Sequence, residues 1–324
     1  MSSMKTKTEL PRKVELYLQC RHYAVSTTEA YKKWALRFLV FCGEDELTPK
    51  KAEMFLTSLA SSVSRQTQRQ AFFALKLLFE SILEQPFAGV KATRAPKSNF
   101  VAAILTADEL TNFFEALSGT KRLMAEFQYG TGMRVSEMAR LRIKDIDFGN
   151  GAVIVRDSKG GGDRKTILPT GLIPSLKAQI EQARIIQKND IADGRGGVLL
   201  SPALLRKFSN ASKDLAWQFL FPGNALVNQN NKIYRNHISI SGIQRFVKRA
   251  ASRAGINKRV TSHTLRHCFA TDLANNGTSL RDIQELLGHA TLEMTMTYVH
   301  SFKAFPRVIT SPLDRLKREQ AGLT

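Results

Sequence analysis

Ser262-His-Thr-Leu-Arg-His-Cys-Phe-Ala-Thr271 is the stretch on which the reading of this chain turns. Leu265, Phe269 and, just beyond it, Leu273 recur at helical spacing and predict one buried face. His263 and Arg266 are three residues apart and share another face. The stretch therefore reads as a helix with a packed side and a polar, cationic side. Downstream, Leu286-Leu-Gly-His289 predicts a helix that stops at Gly288 and leaves His289 just past the cap. Tyr298 follows in the same segment.

Working upstream, Gly130-Thr-Gly-Met133 separates two helices and presents Arg134 at the start of the second. The helical pattern there opens with a cap at Thr106 and runs through Phe127 to Leu141. Gly149 to Pro169 reads as strands with tight turns: Ala152-Val-Ile-Val155, Lys159-Gly-Gly-Gly162 and Lys165-Thr-Ile-Leu168. After Pro169 the chain reads as mostly helical. The first ninety or so residues read as all-helical too, a small bundle with short connections. Leu10 to Cys20 is one element, Ser26-Thr-Thr-Glu29 is a cap-like start for the next, and Thr48 to Leu59 and Ser64 to Leu83 each open on a hydroxyl residue. Lys91 to Phe100, with Arg94, Pro96 and Lys97, breaks the pattern and reads as an interdomain linker. The expected domains are residues 1–98 and 99–324.

A chain of 324 residues suits two domains, and 43% hydrophobic with 23% charged residues is an ordinary globular composition. The formal net charge is +20, which favours a polyanionic partner, nucleic acid before anionic membrane. Residues 1–98 hold 16 Lys and Arg against 9 Asp and Glu, and the remainder 32 against 19, so both parts are basic. Cys20, Cys42 and Cys268 are scattered and odd in number, which argues against a disulfide framework and a zinc site and for a reducing compartment. The polar N-terminus lacks the apolar core of a secretory signal, and no apolar run has transmembrane length. The expectation is a cytoplasmic protein without a membrane partner.

Arg134, Lys159, His263, Arg266, His289 and Tyr298, in that order, are the residue types that phosphodiester transesterification uses. The reaction needs a nucleophile, neutralisation of phosphate charge and a proton for the leaving oxygen. Arginines fork onto non-bridging oxygens in a way lysine cannot match. The histidines can donate to the same phosphate or buffer a proton, Lys159 can protonate a leaving 5′-oxygen, and Tyr298 is the one candidate nucleophile in the set. Each alone reads more simply as surface charge, packing or a turn; the ordered set of six reverses that.

These boxes resemble the tyrosine recombinase (phage-type integrase) family. Gly130 to Glu137 looks like its first arginine box, Ser158 to Arg164 like its β-hairpin lysine, Ser262 to Thr271 like its His-x-x-Arg box, and Leu286 to Ala290 with Thr295 to Tyr298 like its second histidine and nucleophile. The match runs from about residue 10 to 300. It implies a mainly α fold with a small β-sheet: an N-terminal SAM-like core-binding bundle and an α+β catalytic domain, closed on DNA as a C-shaped clamp. It implies site-specific strand exchange through a 3′-phosphotyrosyl intermediate, with no cofactor, metal or ATP. It further implies a homotetramer on DNA, with the segment Ser301 to Leu316 docked on a neighbour.

An apparent insertion at about 193–223, holding Leu199 to Phe208 and Ala216 to Pro222, is similar to that of integron integrases, as is Ser311 to Leu316. That subgroup takes a duplex integration site and a folded single-stranded cassette site, capturing and excising gene cassettes. Exposed aromatics on the insertion would stack on extrahelical bases. Trp217, Phe219 and His237 are candidates, with Lys97 and Arg164 as further DNA contacts; the alternative is that Trp217 and Phe219 are core residues of the insertion. Competing functions are a phage-type or chromosome-dimer-resolving recombinase confined to duplex sites, and a non-catalytic basic DNA-binding regulator. A bacterial cytoplasmic protein, nucleoid-associated when on DNA, is expected.

Overall fold

The computed structural model describes residues 2–96, 103–158, 162–229, 231–296 and 311–320. It divides into two compact units, Met1–Val101 and Ala102–Thr324.

The first unit carries four helices: α1 (Ser2–Cys20), α2 (Val25–Cys42), α3 (Pro49–Ser58) and α4 (Arg65–Leu77), the last continued by a π turn over Leu78–Ile82. Thr48 and Ser64 cap α3 and α4 by accepting from the Lys51 and Thr67 amides. The cap expected at Ser26 is corrected: α2 already starts at Val25, its N-cap is Ala24, and no side chain caps it. Phe38, Phe55, Leu75 and Phe79 fill the core between these helices. The expected linker is corrected in part, because residues 91–96 lie against their own unit. Gln68, buried on α4, donates to the Leu56 and Thr93 carbonyls at 2.8 and 2.6 Å and accepts from the Ala95 amide at 2.8 Å.

The second unit opens with α5 (Ala107–Glu115), where Thr106 and Glu109 form a reciprocal capping box. The run expected to Leu141 is three helices: α6 (Gly119–Thr131) and α7 (Val135–Arg140) follow. Next comes an antiparallel sheet in the order β1 (Ile146–Asp147), β2 (Ala152–Ser158), β3 (Gly162–Ile167). Val153 and Val155 point into the core while Ile154, opposite Lys165, stays half-buried. Then α8 (Ile173–Ala192) and α9 (Pro202–Lys207) lead to a second hairpin, β4 (Pro222–Gln229) with β5 (Lys232–His237). That hairpin corrects the all-helical expectation after Pro169. Its strands are largely half-buried or exposed, so they lack a strong apolar run, and the turn residue Asn231 sits at φ 59°.

Helices α10 (Ile240–Arg253), α11 (Ser262–Asn275), α12 (Leu280–Leu287), α13 (Leu292–Met296) and α14 (Pro312–Gln320) complete the unit. Helix α11 packs on α6, burying Leu265, Cys268, Phe269 and Leu273. Helix α14 seats Leu313 and Leu316 in the main core of its own chain. Asp314 accepts from the Thr170 and Gly171 amides at 3.1 and 3.0 Å, and Ser311 donates to the Gly130 carbonyl at 3.1 Å. Of the segment expected to dock on a neighbour, 301–310 lie outside the described residues and 311–316 pack in cis. Among the described residues, no helix is long and apolar enough to cross a membrane.

Candidate active site

The Gly-Thr-Gly turn is where the site is built. Helix α6 ends in a left-handed cap at Gly132, φ 63°, whose amide donates to the Gln128 carbonyl. A Cβ there would stand 2.3 Å from the Phe269 ring on α11, so the turn takes glycine for space as well as for φ. The Gly132 carbonyl accepts from Nη1 of Arg266 at 2.7 Å, and the neighbouring Thr131 carbonyl from the Thr166 hydroxyl of β3, also at 2.7 Å. One turn thus joins α6, α11 and strand β3.

Arg134 is the N-cap of α7. Its amide donates to Oε2 of Glu137 and its Nη1 to Oε1, both at 2.8 Å. Arg164 on β3 grips the same carboxylate with Nη1 at 3.0 Å and Nη2 at 2.8 Å, and gives Nε to the Leu286 carbonyl at 2.9 Å. Burial alone would raise the Glu137 carboxyl. The bonds and charges of Arg164, then those of Arg134, outweigh it and hold the group at about 2. Glu137 is therefore a fixed anion that orients two arginines. Arg134 keeps 18% of its side chain exposed, against 8% for Arg164.

Arg266 is 2% exposed, and its Nη2 donates to the Leu287 carbonyl at 2.7 Å and lies 2.9 Å from Nε2 of His289. Helix α12 stops at Gly288 in the left-handed conformation, where a Cβ would meet the Arg164 side chain at 2.6 Å. His289, just beyond, is 6% exposed, and its Nδ1 lies 2.9 Å from the Thr295 hydroxyl. Burial, then the cations Arg266, Arg134 and Arg164, push its pKa down to about 4, against the pull of Glu137. His263, in the first turn of α11, reaches solvent; partial burial of its ring, then Arg266 and Arg134, lower it as well. Both rings are neutral at pH 7 until an anion arrives. Two arginines and two neutral imidazoles around one spot make a receptor for a tetrahedral oxyanion.

The structure thus gathers Arg134, His263, Arg266 and His289, while Lys159, Tyr298 and Lys97 lie outside the described residues. Arg164, expected as a DNA contact, is held here as a strut between Glu137 and α12. Phe219 is a core residue, the alternative left open for it: it is 5% exposed, with Arg142 over its face at 4.6 Å and the His237 ring 5.4 Å away between centroids. His237 is held through Nδ1 by the Ile238 carbonyl at 2.7 Å. Trp217 is half-buried beside Phe208, with the Lys144 ammonium 2.8 Å from its ring centroid. Glu137 and Thr295 carry no role in the sequence reading. Glu137 closes the first arginine box and Thr295 opens the nucleophile box, but nothing in the sequence marked either as a partner of the site. In the first unit, a cavity of about 670 Å³ is lined by Arg65, Arg69, Phe72, Phe73, Lys91 and Arg94 among others.

The phage integrase family model spans residues 103–304, and the N-terminal SAM-like domain of phage integrases spans 10–88. The chain belongs to the phage integrase family, the tyrosine recombinases. An integrase/recombinase of Escherichia coli is 39% identical over 303 residues, 91% of this chain and 90% of its own length. Tyrosine recombinase XerC of Listeria monocytogenes serotype 4b (strain F2365) is 30% identical over 303 residues, 87% and 89% of the two chains. Among solved structures, a lambda integrase dimer on a COC′ core site aligns with a TM-score of 0.63 at 21% identity, over 93% of this chain and 99% of that one. The recombinase therefore has the expected fold: a SAM-like helical unit and a lambda-integrase-like catalytic unit with small sheets. It is a site-specific tyrosine recombinase.

Proposed function

We propose that this recombinase is an integron integrase whose chemistry runs through the six residues named above. Tyr298 attacks a DNA phosphate, the P–O5′ bond breaks, and a 3′-phosphotyrosyl linkage and a free 5′-hydroxyl result. Arg134 and Arg266 neutralise the non-bridging oxygens, His263 and His289 bond to them or hold protons, and Lys159 gives the leaving 5′-oxygen its proton. A 5′-hydroxyl of the partner strand then attacks the phosphotyrosine and releases the Tyr298 hydroxyl. The bond energy stays in the linkage, so the step draws on no nucleotide.

The observation that carries the chemistry is the convergence of Arg134, Arg266 and His289, from three distant segments, on the Glu137–Arg164 strut. Support for the integron reading comes from the insertion, where Trp217 stands half-buried among Phe208, Arg142 and Lys144, an aromatic face with cations around it. In the first unit, the groove edged by Arg65, Arg69, Lys91 and Arg94 fits a phosphate backbone. Lambda integrase has been solved as a tetramer on a Holliday junction. By the same logic, four copies act together here, and the seat of α14 passes from its own helix to that of a neighbour. Nucleoid association would follow from DNA binding.

XerC-like relatives at 30% identity favour a second reading, strand exchange on duplex sites alone. The test selects DNA from two random pools, nicked duplexes and folded single-stranded hairpins with bulged bases, by covalent capture on the wild-type protein. Capture of hairpins, lost with Trp217→Ala while duplex capture persists, is the integron result. Capture of duplexes alone moves the assignment to the second reading.

A further inference from the structure

Thr295 is fully buried, and its hydroxyl lies 2.9 Å from Nδ1 of the His289 imidazole. On the other side of the ring, Nε2 lies 2.9 Å from Nη2 of Arg266. A guanidinium can only donate, so Nε2 accepts, and the single proton of the neutral imidazole stands on Nδ1. The Thr295 oxygen is then its acceptor. The backbone on either side is also held: the His289 amide donates to the Gln284 carbonyl at 3.1 Å, and the Gln284 side chain donates to the His289 carbonyl at 3.0 Å.

We propose that Thr295 is a positioning residue, which holds the His289 proton on Nδ1 and keeps the Nε2 lone pair turned toward the phosphate-binding arginines. The inference rests on the assignment of His289 to the phosphate site. Any proton the neutral ring takes up enters at Nε2, on the phosphate side, while Nδ1–H stays on Thr295. Buried among Arg266, Arg134 and Arg164, against the pull of Glu137, the ring is neutral at pH 7, so the tautomer decides what Nε2 can do. Thr295 also stands on α13, the short helix that precedes Tyr298 in the chain, so seating of α13 and orientation of the imidazole are one event.

The test uses full-length protein labelled with ¹⁵N-histidine, long-range proton–nitrogen correlation of the rings, and single-turnover cleavage of a selected nicked duplex. The His289 signals are identified by their loss in His289→Gln. In wild type His289 is the Nδ1–H tautomer. Thr295→Val mixes the tautomers and slows cleavage by about 10- to 100-fold, as loss of an outer partner of a functional histidine does, with DNA affinity unchanged. Thr295→Ser restores both. An Nε2–H tautomer in wild type, or wild-type tautomer and rate in a folded Thr295→Val, overturns the inference. Slow cleavage by His289→Gln beside fast cleavage by Thr295→Val sinks the role of Thr295 alone; fast cleavage by both sinks the assignment of His289 beneath it.

Discussion

Glu137 shows how much of a cationic site depends on one anion. Its carboxylate is 3% exposed and holds Arg134 and Arg164 together. Glu137→Ala leaves two guanidiniums facing each other without a counter-ion. Urea denaturation should show a loss of about 3–5 kcal/mol, the usual cost of breaking a buried pair. Cleavage should fall by about 100-fold from misplacement of Arg134 alone. The acid side of stability follows from signs. A carboxyl held at about 2 contributes stability that is full above its unfolded value and is lost as pH falls toward 2. His267 and His289 are both pushed down to about 4, His267 by burial, then His263 and Arg266, so the unfolded chain binds their protons first. Thermal midpoints should therefore drop in two stages, as pH falls from about 6.5 to 4 for the histidines and from about 4.3 to 2 for Glu137. Only the lower stage should shrink in Glu137→Gln. Gly132 is a third case: Gly132→Ala adds left-handed strain of about 1–2 kcal/mol to a collision with Phe269. It should unfold at lower urea and cleave more slowly, because the Gly132 carbonyl anchors Arg266.

At the scale of elements, what could be read in advance was whatever depends on local rules. The stripe Leu265, Phe269, Leu273, the caps at Thr48, Ser64 and Thr106, and the stop at Gly288 are each set within a turn or two of chain. The β4–β5 hairpin escaped because its strands face solvent on much of their surface and its register is fixed from outside. Asp190 of α8 does the fixing: 1% exposed, it accepts from Nε of Arg235 at 2.7 Å and also pairs with Arg195. Asp190→Ala should speed hydrogen exchange across Pro222 to His237 while α6 and α11 keep their protection. The candidate site divides in the same way. Residues bearing the chemistry stood in recognisable boxes, and Arg134, Arg266 and His289 do meet. The partners did not: nothing in the sequence tied Arg164 to Glu137 and Leu286, or decided between display and packing for Phe219, which is packed. A single sequence records a side chain's chemistry but not which carbonyl or carboxylate long-range folding brings beside it.

For the molecule as a whole, both parts of the chain are basic and the net charge is +20. Affinity for DNA should therefore fall steeply with salt, by about 10³- to 10⁵-fold between 50 and 200 mM if six to ten phosphates are neutralised. Titrations at several ionic strengths read that slope directly, and a flat dependence would contradict an electrostatic interface. The central proposal is chemical: Tyr298 makes a covalent bond to a DNA phosphate. The direct measurement incubates end-labelled selected DNA, nicked beside the cleavage point, with wild type and with Tyr298→Phe, in EDTA, and resolves the products in SDS. An SDS-resistant adduct through a 3′-phosphate, formed by wild type, mapped to Tyr298 and missing from Tyr298→Phe, is the predicted result. An equal adduct with Tyr298→Phe, or strand cleavage by wild type without any covalent intermediate, would contradict the account.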